Sequence, residues 1–190
     1  MKVALDAGHG AYGKYAYTGA SANGLVEDYL ALDIQIRIGH HLRKLGIKTL
    51  YTRPDNKYIQ LGARSQKALA EKCNIFISLH FNAGPSAANG IEAYCALNDT
   101  KSRSLAESLI TAIQNIGFNS RGVKWDSQSQ YKRLKVLQDL KWKMPAVLLE
   151  LGFLTNKKDA EMIGDKHFRE KLAVLIANDI LCWSQKNISR

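Results

Sequence analysis

The chain has 190 residues, 46% of them hydrophobic, enough to bury a full core within a single domain spanning 1–190. No apolar run approaches the length that crosses a bilayer, so no helical membrane span is expected. A formal net charge of +10 points to polyanionic partners, whether nucleic acid, anionic membrane or bacterial wall polymer, and does not choose among them.

The first predicted element is the apolar strand KVALDA, residues 2–7, followed by a Gly/Tyr/Ser-rich loop to Gly24. From Leu25, the apolar positions Val26, Leu30, Ile34, Ile38, Leu42 and Leu45 recur at helical spacing, and Gly46 closes the helix. KTLYT (48–52) is a second strand, stopped by Pro54. A helix over 61–72 precedes NIFISLH (74–80), a continuous apolar run of the kind a buried parallel strand shows. GIEAYCAL (90–97) is another strand, and 101–116 forms a helix with Leu105, Leu109 and Ile113 on one face. AVLLE (146–150) is strand-like and apolar until its last residue, and 166–184 makes a final amphipathic helix. This alternation predicts a single-domain α/β fold, a mostly parallel twisted sheet with helices on both faces.

The N-terminus MKVALDAGHG is not a signal peptide, because its apolar stretch is short and an aspartate and glycines follow at once. The chain is therefore expected to be made in the cytoplasm, although a secreted chain trimmed of its leader reads the same way. Cys73, Cys95 and Cys182 are odd in number, far apart and without a C-x-x-C pair, so they read as reduced, mostly buried thiols.

Within DAGHGAYG (6–13), Gly8, Gly10 and Gly13 match the G-x-G-x-x-G spacing of a dinucleotide-binding loop. That motif needs its last glycine to open a helix, whereas KYAYTGASANG follows, a loop with two more glycines and no helical period. Its acidic residue belongs at the end of the second strand, whereas Glu27 lies in the first turn of a helix. The nucleotide reading fails on context.

Three strands instead end in residues that bind metal or move protons: His9 just past the first, His80 ending NIFISLH, and Glu150 ending AVLLE. In an open parallel sheet the carboxyl ends of strands border the ligand crevice, and Glu27 enters from the same edge. Two imidazoles and a carboxylate leave a fourth position open, the pattern of a catalytic zinc, and a further carboxylate then serves as base. Each has a plainer alternative: His9 as a polar loop residue, His80 as a hydrogen-bonded strand end, Glu27 as a favourable charge at a helix N-terminus. Asp28 serves that last role equally, so spacing does not choose between it and Glu27. Glu150 is the most telling, since an acid ending a buried strand is costly unless paired, protonated or near a cation. His40, His41 and His167 read as surface or capping residues.

Part of the basic excess is local. Arg121, Lys124, Lys132, Arg133, Lys135, Lys141 and Lys143 face only Asp126 and Asp139, with Trp125, Tyr131 and Trp142 interleaved. Such a mixture grips nucleic acid or sugar polymers; the simpler expectation is a solvated face with its aromatics tucked into the core.

LDAGHG (5–10), GLVEDYLAL (24–32), TR (52–53), FISLHFNAG (76–84), GIEAYC (90–95), RGVK (121–124) and PAVLLELGFLTN (145–156) together resemble, in order, the zinc-dependent N-acetylmuramoyl-L-alanine amidases of the amidase_3 type, found in bacterial autolysins and phage endolysins. The resemblance runs from Lys2 to about Trp183. It implies one zinc ion at the carboxyl ends of the strands, held by His9, Glu27 and His80, with Glu150 as the catalytic glutamate. It places Glu27, not Asp28, on the family's acidic position. It implies cleavage of the amide between N-acetylmuramic acid and L-alanine in peptidoglycan, and Asn82, two residues after a ligand, is expected to hydrogen-bond substrate. Ala7 stands where proline is usual, Asp28 where lysine is common, Leu69 where asparagine often follows Arg64, and Gln138 where a basic residue often sits. Expected partners are peptidoglycan and anionic wall polymers, with a monomeric chain, no separate wall-binding domain, no nucleic acid and no membrane insertion. The enzyme would act on the wall after lysis or release, or as a trimmed catalytic domain of a secreted protein. Two alternatives stay open: a non-catalytic wall-binding module, against which the retained site residues argue, and a basic nucleic-acid-binding protein, for which no recognisable motif is present.

Overall fold

Val3 to Ala7 are all buried, because the first strand runs through the middle of a sheet covered on both faces. The computed structural model describes residues 1–12 and 19–188; Gly13, the third glycine of the nucleotide-like spacing, lies outside them. The elements run β1 (Lys2–Ala7), β2 (Ser21–Ala22), β3 (Leu25–Val26), α1 (Glu27–Lys44), β4 (Lys48–Tyr51), α2 (Leu61–Ala70), β5 (Ile75–Asn82), β6 (Ile91–Cys95), α3 (Thr100–Gln114), β7 (Ser120–Trp125), a 3-10 turn (Asp126–Gln128), α4 (Lys135–Gln138), β8 (Ala146–Phe153), α5 (Lys157–Gly164) and α6 (Lys166–Asn187).

Six strands form one sheet in the order β4-β1-β5-β8-β6-β7. β4, β1, β5 and β8 are mutually parallel, β6 runs antiparallel to β8, and β7 is parallel to β6. Alternate strand residues serve opposite faces. Val3, Leu5, Ile75, Ile77, Val147 and Leu149 pack against α1, α3 and α6 in the larger core. Ala4, Phe76, Ala146 and Leu148 meet α2 and α4 in the smaller one. Each fully buried Leu or Ile there contributes about 1.5–3 kcal/mol. Among the described residues no helix is long and apolar enough to cross a membrane.

The helix predicted from Leu25 begins at Glu27. Leu25 and Val26 pair instead with Ser21 and Ala22 in a hairpin, turned by Asn23 and Gly24 with φ of 51° and 75°. An Asn-Gly pair with both residues at positive φ is the turn that suits a two-residue hairpin. β8 continues three residues beyond the predicted AVLLE, because Leu151 pairs with Ile91 and Phe153 with Asn82. β7 lies outside the elements the sequence predicts: SRGVKW carries two cations and a glycine, so an edge strand there lacks the apolar alternation that marks the others. So do α4 and α5, which are too short to show a helical period. Cys73 and Cys95 are buried and Cys182 is exposed, all as free thiols.

Candidate metal centre and catalytic cleft

β1 and β5 are adjacent and parallel, so His9, just past one, and His80, near the end of the other, arrive at the same edge of the sheet. Glu27 reaches that edge from the first position of α1, anchored by its own backbone N–H to the Ala20 carbonyl at 2.9 Å. The Nε2 atom of His9 lies 2.9 Å from Oε1 of Glu27, and Nδ1 of His80 lies 3.0 Å from the same oxygen. The two ring nitrogens are 3.2 Å apart. These separations approach the roughly 3.3 Å edge of a tetrahedron built on metal–ligand bonds of about 2.0–2.1 Å. The three side chains thus form a group that can hold a metal ion.

The glycines around the group have a steric reason. A Cβ on Gly8 would sit 2.3 Å from Cε1 of His80, and one on Gly19 would sit 2.7 Å from Oε2 of Glu27 and 2.8 Å from the His9 ring. His9 adopts φ of 61°, sparsely populated by residues other than glycine. Its turn leaves carbonyls pointing away from the sheet ladder, and two buried arginines satisfy them. Arg53 donates to the carbonyls of Ala7 (2.9 Å), Gly8 (2.8 Å) and Asp28 (2.6 Å). Arg64 donates to Ala7 (2.6 Å) and to the His9 carbonyl, and pairs with the buried Asp6 at 3.0 Å. Asp6 also accepts from Thr52 and Ser78, so its charge is fully answered. Burial, and then the neighbouring Arg64, push the Arg53 guanidinium down to about 10.

Burial pushes the Glu27 carboxyl up, but hydrogen bonds from His80 and then His9 outweigh it and hold it well below the usual carboxylate range. Both of its oxygens also accept from backbone: Oε2 from Ala20 N–H at 2.7 Å, Oε1 from Phe81 N–H at 3.1 Å. Asp28 turns elsewhere, taking a bond from Asn56 at 3.1 Å, and has no part in the group.

The group opens onto a cavity of about 710 Å³ lined also by Asn82, Glu92, Arg121, Lys124, Tyr131 and Glu150. Burial above all, then the negative charges of Glu27 and Glu92, raise the Glu150 carboxyl well above its ordinary value. Its Oε2 is buried and has no hydrogen-bond partner among the described residues. A cation beside it would lift both burdens, so this orphaned oxygen fits a metal at the His–Glu–His group. Asn82 donates to Oε1 of Glu92 at 3.0 Å while its own carbonyl accepts from Ala83 N–H at 2.9 Å.

Arg121 and Lys124 correct the expectation of a solvated basic face at this point, because β7 turns both toward Glu92. Tyr131 and Trp142 are 72% and 75% exposed, not tucked into the core. Trp142 borders a separate hollow of about 270 Å³ with Asn98, Lys101 and Lys143, which contains none of the residues above. His41 pairs with Glu170 at 2.8 Å, and His40 and His167 are exposed, as surface residues. The departures are structural: Ala7 uses the N–H that proline lacks to reach Gln35 at 2.9 Å, and Gln138 donates to Asp126 at 2.6 Å. Leu69 packs against the smaller core.

At the carboxyl edge of this predominantly parallel α/β sheet, two imidazoles and a carboxylate that can hold a metal face the same cleft as an acid without a partner among the described residues. The chain belongs to the N-acetylmuramoyl-L-alanine amidase family Amidase_3, whose model matches residues 3–182. It is 33% identical over 181 residues to the uncharacterized protein YqiI of Bacillus subtilis, covering 94% of this chain and 82% of that one. It is 32% identical to the N-acetylmuramoyl-L-alanine amidase LytC of Bacillus subtilis, covering 92% of this chain but only 34% of LytC. The crystal structure of an N-acetylmuramoyl-L-alanine amidase from Clostridium difficile superposes with a TM-score of 0.87 at 26% identity, covering 98% of this chain and 97% of that one.

Proposed function

We propose that this chain hydrolyses the amide joining the lactyl group of N-acetylmuramic acid to L-alanine of the peptidoglycan stem peptide, with one zinc ion held by His9, Glu27 and His80. The observation that carries the reading is the convergence of His9 Nε2, Glu27 Oε1 and His80 Nδ1 at the mouth of a cleft that Glu150 also lines. Zinc, when bound, supplies a Lewis acid for the scissile carbonyl and for activating water at neutral pH.

The chain's own residues do the rest. Glu27 holds both imidazoles in place through one oxygen and is itself fixed by two backbone N–H groups. Glu150, whose Oε2 has no competing partner among the described residues, takes the proton from the attacking water. It then passes that proton to the alanine nitrogen as the C–N bond breaks, leaving a lactyl carboxyl group and a free alanine amine. Asn82 enters through Glu92, and the second N–H of its amide is the one a substrate carbonyl would take. The net charge of +10 supports attraction to anionic wall polymers, and retention on sacculi should weaken with salt.

The test is digestion of purified peptidoglycan by metal-free and zinc-restored enzyme, assaying newly exposed alanine amino groups. Zinc-dependent release supports the reading. Zinc bound and sacculi retained with no new alanine ends would sink it in favour of a binding module.

A further inference from the structure

Glu92 is 3% exposed and saturated with donors. Its Oε1 accepts from Asn82 and from the Tyr94 hydroxyl at 2.8 Å, and its Oε2 accepts from Arg121 Nε at 2.8 Å and from Lys124 Nζ. One anion therefore meets two cations, and neither cation has Glu92 to itself. Arg121 is fixed on two sides. Its Nε is bonded to Glu92, and its guanidinium lies over the Phe153 ring, 4.9 Å from the centroid. Among the described residues neither Nη nitrogen has an acceptor, although the side chain is only 37% exposed and lines the same cavity as Glu150.

A planar, pre-ordered guanidinium edge with unused donors matches a carboxylate, which it grips with two parallel bonds. In the substrate proposed above, the lactyl carboxyl is consumed in the scissile amide, so free carboxylates occur only on the peptide side. We infer that Arg121, held by Glu92 and Phe153, is the specificity residue that reads a free carboxylate on the stem peptide beyond alanine. The inference rests on the amidase reading of the same cleft. The competing account is that Arg121 and Lys124 merely neutralise Glu92 and Glu150.

Two compounds separate these accounts: N-acetylmuramyl-L-Ala-D-Glu blocked as its γ-methylamide, so that the α-carboxylate is the one free acid of the peptide, and the same compound with that carboxylate amidated. Wild-type enzyme should favour the carboxylate at least about tenfold in kcat/KM, the equivalent of one charge-assisted contact. Arg121→Gln should bring the carboxylate peptide down to the amide's level, chiefly through KM. Arg121→Lys, which keeps the charge and loses the fork, should fall between and provides the test if the glutamine variant does not fold. A preference that persists in these variants, or is absent from the wild type, overturns the inference.

The same peptides are titrated calorimetrically into zinc-loaded Glu150→Gln protein, which gives an answer without turnover. Preferential carboxylate binding with no hydrolysis by the wild type leaves the inference standing and the amidase reading fallen. Equal binding with intact wild-type hydrolysis does the reverse, and binding of neither peptide overturns the inference.

Discussion

Glu92 and Glu150 stand opposite one another in register on the antiparallel strands β6 and β8, yet only Glu92 has its charge answered by cations. Like charges directly across a sheet destabilise it. Arg121 and Lys124 remove that penalty at Glu92 and leave Glu150 as the acid whose ionisation the fold disfavours until a cation binds nearby.

Glu150→Gln should therefore separate chemistry from stability. Hydrolysis should fall by at least about 100-fold, the lower end of what a positioned acid–base group contributes. The melting temperature should hold or rise, because glutamine removes a carboxyl whose charged form is penalised by burial. Turnover on peptidoglycan and a thermal melt check both, and near-normal rates would show that Glu150 does not move the proton.

Zinc affinity should respond to a single methyl group added at a residue that is not itself a ligand. In Gly8→Ala the new Cβ would lie 2.3 Å from the His80 ring, so the ring must leave the position in which it meets His9 and Glu27. A loss of about 10–100-fold in affinity, the range for changes in groups that orient ligands, is expected by chelator competition. His80→Ala should lose more. Unchanged zinc binding in Gly8→Ala would show that the packing of Gly8 on His80 is immaterial.

Arg64→Met should destabilise the fold by about 3–5 kcal/mol, the usual cost of removing one partner from a buried ion pair. Asp6 and Arg64 are each only 1% exposed, and the His9 carbonyl loses its donor as well. Urea unfolding with and without Asp6→Asn tests this, since removing both charges should recover part of the loss.

The α1–α6 seam should give the protein an acid-labile component. Burial pushes Asp33 up, but hydrogen bonds from Arg37 and Arg169 hold it below its ordinary 3.8. Glu170 is held below 4.5, chiefly by Arg37 and then by His41. Depressed folded-state values stabilise the protein above the unfolded pKa and lose that stabilisation as pH falls through the folded value. Between pH 6 and pH 3 the urea midpoint of the wild type should fall more steeply than that of Asp33→Asn. Parallel curves would show that the pair contributes nothing measurable, as exposed ion pairs often do.

The major strands and longer helices were legible because hydrophobic period is a local property: Val3–Leu5 and Ile75–Ile77 are apolar runs whichever neighbours they find. His9, His80 and Glu150 were legible as polar residues at the ends of such runs. Arg121 and Lys124 were not, because their partner Glu92 lies about thirty residues away on another strand, and a basic stretch reads alike on a free surface and in a cleft. The reversal of β6 was equally hidden, since a strand's own residues carry little record of its direction.

The amino-acid order by itself thus determined an α/β chain with chemistry-bearing residues at its strand ends. The resemblance already set Glu27 above Asp28; only the tertiary structure decided that one Glu27 oxygen meets both imidazoles, that Nε2 of His9 meets Nδ1 of His80, and that Glu92 lies beside Glu150. The reason is physical: periodicity is set by neighbours along the chain, whereas convergence within about 3 Å depends on strand order, register and the turns that join them.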